Sequence, residues 1–91
     1  MSDAVWIDGE WRSGNGPKFQ NHCPATGDMV WESASANAGD VTAAVESARR
    51  AFHDWSRTPQ SERTAILEAY ADEIGKRTDA IAEVISRDMG K

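Results

Sequence analysis

The sequence predicts an α+β chain in which two short β-hairpins are followed by three α-helices. Three observations carry that prediction. An Asp8-Gly9 pair between two tryptophans marks a tight turn, and a second cluster of turn formers fills residues 24–28. From Val41 onward, apolar residues recur at helical rather than alternating spacing. The strand-like part occupies residues 1–36 and the helical part 37–91, with no helix-crossed pair of parallel strands, which is an α+β ordering.

In Trp6-Ile7-Asp8-Gly9-Glu10-Trp11, Asp-Gly supplies the two positive-φ positions of a type I′ turn. Ile7 then faces Glu10 and Trp6 faces Trp11, a cross-strand indole pair whose role is packing rather than ligand stacking. Residues 13–17, Ser-Gly-Asn-Gly-Pro, hold turn formers and no apolar anchor, and they read as an exposed, mobile loop. Residues 19–23 and 29–33 form a second antiparallel hairpin around Pro24-Ala25-Thr26-Gly27-Asp28, with Gly27 in the left-handed conformation. Its alternation is untidy, which suits edge or surface strands.

Val41, Ala44, Val45, Ala48, Phe52 and Trp55 lie on one stripe of a 3.6-residue turn. Asn37 caps the first turn of this helix, Asp40 faces its free N–H groups, and Glu46 and Arg50 are spaced for a surface ion pair. Thr58 and Pro59 read as the cap and first residue of a second helix, whose apolar side is Ile66, Leu67, Tyr70 and Ile74 and which Gly75 ends or interrupts. A third restarts near Thr78, presents Ala80, Ile81, Val84 and Ile85, and closes at Gly90.

A chain of 91 residues holds one small domain at most. Its net charge of −5, with no basic stripe, excludes a phosphate-tracking nucleic-acid surface. One cysteine makes no internal disulfide, and neither a leader peptide nor a membrane-length apolar run is present, so the expected compartment is the cytoplasm.

No catalytic, cofactor-binding or metal-binding constellation can be assembled from these residues. Cys23 is the sole sulfur nucleophile, yet His22 beside it points to the opposite face of a strand and cannot serve as its base, so an inert thiol is expected. A His22-Cys23 metal site lacks two further ligands. Asp54 beside His53, and Asp72 beside Glu73, read as solvated helix faces. Gly14 and Gly16 lead into Pro17, not into a helix that could receive a pyrophosphate.

Taken together, Trp-Ile-Asp-Gly-Glu-Trp at 6–11, Pro-Ala-Thr-Gly-Asp at 24–28, the run from Asp40 to Trp55, Glu62-Arg63 and Met-Gly-Lys at 89–91 resemble the amino-terminal segment of the NAD(P)-dependent aldehyde dehydrogenase superfamily. The resemblance spans essentially the whole chain. Cys23 stands where the family has asparagine, a departure that bears on the hydrogen bonding of the turn. Trp31-Glu32 is most similar to the succinylglutamate semialdehyde dehydrogenases of arginine catabolism, with succinate semialdehyde, aliphatic and betaine aldehyde dehydrogenases as alternatives.

The resemblance implies a fragment of a larger α/β subunit that uses NAD or NADP, with its catalytic cysteine and glutamate beyond position 91. Cys23 matches neither the place nor the context of that cysteine. The fragment is then inactive alone, binds no cofactor, and contributes hairpins and helices to the outside of an incomplete cofactor-binding domain. Its partners would be the remainder of the subunit and further copies of it in a homo-oligomer. The rival expectations are a free-standing interaction module using the same apolar stripe and a small metal or redox protein using His22 and Cys23.

Overall fold

The computed structural model describes residues 3–91 and contains four strands and three helices in the expected order. Strands β1 (Val5–Ile7) and β2 (Glu10–Arg12) pair antiparallel with Trp6 opposite Trp11 and Ile7 opposite Glu10. Asp8 and Gly9 take φ of 54° and 77°, the turn that the Asp-Gly pair predicts. The two indoles meet edge to face, with centroids 5.1 Å apart. Strands β3 (Lys18–His22) and β4 (Met29–Ala34) form a separate two-stranded sheet, irregular between Asn21 and His22. Phe19 and Trp31 sit diagonally on one face of it at 5.0 Å, and Gly27 closes the turn at φ 78°.

Helix α1 (Ala38–Trp55) starts at a complete capping box: Asp40 N–H donates to the Asn37 side chain and Asn37 N–H donates to the Asp40 carboxylate, each at 2.9 Å. Asn37→Ala removes one half of that exchange, and a loss of about 1 kcal/mol is expected on denaturant unfolding of the protein that contains this helix. Helices α2 (Gln60–Lys76) and α3 (Thr78–Met89) follow, and Gly90 ends α3 at φ 74° with Lys91 N–H reaching back to Ser86 O.

Four local expectations are corrected. The 13–17 loop is pinned rather than free: Asn15 donates to Asp40 twice, Gly16 N–H donates to Ser35 O at 2.6 Å, and Ser35 N–H donates to Pro17 O at 2.9 Å. Thr58 does not cap α2; its hydroxyl donates backwards to Asp54 O at the end of α1, and Pro59 itself holds the N-cap position. Gly75 lies inside α2, and the break falls at Arg77, whose φ of −110° and ψ of 16° leave the helical region before Thr78 restarts the ladder. Arg50 pairs with Asp8 across elements at 3.9 Å instead of with Glu46.

That last contact shows how α1 meets the first hairpin. Ser47 also reaches Asp8, at 3.3 Å, and Ala43, Ala44 and Ser47 are half-buried, so the small-residue side of α1 leans on β1. The large-residue stripe does not. Among the described residues the buried side chains are Ile7, Ser33 and Asp40, of which one is apolar, so no hydrophobic core closes within the chain. The radius of gyration is 16.9 Å, where a compact chain of this length would have about 12 Å.

Candidate functional site

The most connected polar group is the Asp40 carboxylate, which is 9% exposed and joins three segments. One oxygen accepts from the main-chain N–H groups of Asn15 (2.8 Å) and Asn37 (2.9 Å), and the other accepts from the Asn15 side-chain amide at 2.6 Å. Hydrogen bonds from Asn37 and then Asn15 hold its pKa below the ordinary carboxylate value. A carboxylate depressed on folding contributes stability above its unfolded value, near pH 4, and loses it as pH falls through the lower folded value. The stability gap between wild type and Asp40→Asn, measured by denaturant unfolding at successive pH values, is therefore expected to be constant at neutral pH and to close on acidification below about pH 4. This group fixes the first hairpin's exit loop to the start of α1; it is a joint, not a reaction centre.

Cys23 lies just past the β3 irregularity at the head of the second turn and is half-exposed. Gly27 N–H donates to its carbonyl and its own N–H donates to Asp28 O, both at 2.8 Å. Hydrogen bonds to the sulfur, first from the Thr26 hydroxyl and then from the Thr26 and Ala25 amides, lower the thiol pKa. The sulfur thus takes the acceptor role that an asparagine oxygen plays at the head of such a turn. Neither a basic neighbour nor a helix N-terminus is among the causes of that lowering.

The carboxylates singled out as solvated faces are exposed; Glu73 pairs at the surface with Lys76 at 3.3 Å and Arg77 at 4.0 Å. Among the described residues no group of three His, Cys, Asp or Glu side chains could hold a metal ion. Gly14 and Gly16 do not form a phosphate cradle. Room for a Cβ at Gly14 and Gly16 is taken by the Ser35 main chain, and the first turn of α1 is capped by its own Asn37.

What the structure does concentrate is uncovered apolar surface. On α1, Val45 is 63% exposed and Phe52 52%; on α2, Leu67 is 61% and Tyr70 66%; Val84, Ile85 and Met89 continue the series on α3. Neither α2 nor α3 buries a single residue. The stripes that helical spacing predicts are present, and none of the described residues covers them.

Against known proteins, residues 11–91 match the model of the aldehyde dehydrogenase family. The chain belongs to that family. It is 43% identical over 91 residues to N-succinylglutamate 5-semialdehyde dehydrogenase of Caulobacter sp. (strain K31), covering all of this chain and 19% of that protein. The enzyme of the same name from Paraburkholderia xenovorans (strain LB400) is 47% identical over 87 residues, which are 96% of this chain and 18% of the relative.

Among solved structures of aldehyde dehydrogenases, an NAD-dependent benzaldehyde dehydrogenase from Corynebacterium glutamicum superposes with a TM-score of 0.90 at 31% identity, over 96% of this chain and 19% of that one. A Mycobacterium tuberculosis aldehyde dehydrogenase complexed with NAD+ gives 0.84 at 34% identity, over 94% and 18%. The chain thus spans about a fifth of the length of the aldehyde dehydrogenases it matches. The two hairpins and three helices are a segment of that larger fold.

Proposed function

We propose that this chain is the amino-terminal scaffold segment of an NAD(P)-dependent aldehyde dehydrogenase that oxidises a semialdehyde, N-succinylglutamate 5-semialdehyde in the first instance, to the carboxylate. The observation that carries the proposal is the conjunction of similarity along this whole chain to about a fifth of enzymes of that name with helix faces that none of the described residues covers. Residues 1–91 then form an incomplete part of the cofactor-binding domain. They contribute no catalytic, cofactor-binding or metal-binding residue, and the NAD or NADP that accepts the hydride is held elsewhere in the subunit. Cys23 is not the nucleophile: its sulfur is engaged by the Thr26 and Ala25 donors of its own turn.

The remainder of the subunit is the primary partner, and homo-oligomerisation in the cytoplasm is the proposed state, without nucleic acid. Among the described residues no helix is long and apolar enough to cross a membrane.

The test is NAD(P)+ reduction by the whole subunit, assayed with N-succinylglutamate 5-semialdehyde beside succinate semialdehyde and betaine aldehyde. A kcat/KM highest for the succinylglutamate compound, with no turnover by residues 1–91 alone, is expected. Failure to oxidise any aldehyde, or turnover by the isolated segment, overturns the assignment.

A further inference from the structure

Asn15-Gly16 is the one Asn-Gly pair of the chain; the other asparagines precede His22 and Ala38. Such a pair can cyclise on itself, because a residue without a Cβ lets its main-chain nitrogen swing onto the asparagine side chain. The Gly16 nitrogen gives up its proton and attacks Cγ of Asn15, Nδ2 departs with that proton as ammonia, and a five-membered succinimide remains. Water then opens the ring at either carbonyl and leaves aspartate or isoaspartate.

In the closed joint, the groups this reaction needs are held elsewhere. The departing Nδ2 donates to Asp40 Oδ1 at 2.6 Å, the Asn15 N–H donates to Asp40 Oδ2 at 2.8 Å, and the attacking Gly16 nitrogen donates to Ser35 O at 2.6 Å. Gly16 is also hemmed in, since a Cβ there would lie 2.8 Å from Ser35 O and 2.9 Å from Ala36 O. Cyclisation therefore requires the loop to lift. Asn15 is itself exposed, so water reaches the pair once it does.

The product does not fit the joint it came from. An aspartate at position 15 has no side-chain N–H to give, and it sets a second negative charge where Asp40 Oδ1 now accepts a hydrogen bond. Arg12, whose charge acts on Asp40, already donates to Ile7 O and lies 4.0 Å from Glu10. Isoaspartate adds a methylene to the main chain between the two anchored N–H groups of residues 15 and 16. Either product keeps the loop away from α1.

We infer that Asn15-Gly16 is a one-way modification site guarded by the Asp40 joint: while the joint is closed the amide is unreactive, and once it opens the loop deamidates itself and no longer closes on α1.

The test uses the whole subunit, folded and unfolded in urea, held in weakly alkaline buffer and sampled over days by tryptic digestion and mass spectrometry. Residues 13–18 form a peptide carrying Asn15 alone, whereas 19–49 carry Asn21 and Asn37. In the unfolded protein the Asn15 peptide should show amide-to-acid conversion well ahead of the other; in the folded protein its conversion should be at least tenfold slower. Asp40→Ala, with its helical circular dichroism retained, should recover most of the lost rate. Asn15→Asp reads the product directly: beside Asn15→Ala, which removes the same donor without adding charge, it should unfold at a lower denaturant midpoint at neutral pH. A folded-state rate within tenfold of the unfolded one, an unchanged rate in folded Asp40→Ala, no conversion in the unfolded protein, or an Asn15→Asp midpoint at or above that of Asn15→Ala overturns the inference.

Discussion

Gly14→Ala is expected to be among the most damaging single substitutions in this segment, although the added group is one methyl. A Cβ at Gly14 would fall on the main chain of residues 34 and 35, with Ala34 O at 2.7 Å and the Ser35 carbonyl nearer still. These are backbone atoms held in place by the Gly16 to Ser35 and Ser35 to Pro17 hydrogen bonds, so no side chain can rotate out of the way. Relief requires the loop to back away from β4, which also strains the Asn15 grip on Asp40.

Overpacking of this kind costs about 1–3 kcal/mol where side chains can yield, and the upper end applies where only backbone can. Gly27→Ala is the matched control: a Cβ there meets nothing within 4 Å, and only the left-handed φ of 78° opposes it, about 1 kcal/mol. Denaturant unfolding of the two variants of the whole subunit should rank Gly14→Ala clearly below Gly27→Ala. Equal midpoints would mean that the close approach of the loop to β4 is not a constraint.

The second large effect concerns the segment in isolation. A folded monomer of 10.0 kDa is expected to expose roughly 5,200 Å², whereas this chain exposes 7122 Å². The surplus, roughly 1,900 Å² against that scaling, is as large as a whole standard protein–protein interface, and Val45, Phe52, Leu67, Tyr70 and Val84 contribute to it. Large contiguous apolar surface is seldom left in water. Light scattering on purified residues 1–91 is expected to show dimers or larger assemblies that grow with concentration, together with strong binding of a hydrophobic dye. A monodisperse monomer over a hundredfold concentration range would contradict this.

Much of the segment was legible because its signals are local. Asp8-Gly9 sets a two-residue turn and thereby the Trp6–Trp11 register, and Asn37 with Asp40 writes a capping box. What could not be read were contacts between residues distant in sequence. Asn15 lies 25 positions from Asp40, and nothing in Ser-Gly-Asn-Gly-Pro says that its amides are committed to a helix start.

The glycines themselves were the signal that could have found this joint, since two in three residues permit a close backbone approach, but turn chemistry explains them equally well. The Thr58 hydroxyl had two helix ends within reach, and the carbonyls closing α1 took it.

The central claim is that α2 and α3 are shaped to lie against a part of the dehydrogenase subunit that residues 1–91 do not contain. Amide hydrogen exchange compared between the isolated segment and the whole subunit tests it most directly. Amides of Gln60–Lys76 and Thr78–Met89 should exchange rapidly in the isolated segment and become strongly protected in the subunit. Equal protection of both helices in the two preparations would show that they are stable without a neighbour, and would contradict the claim.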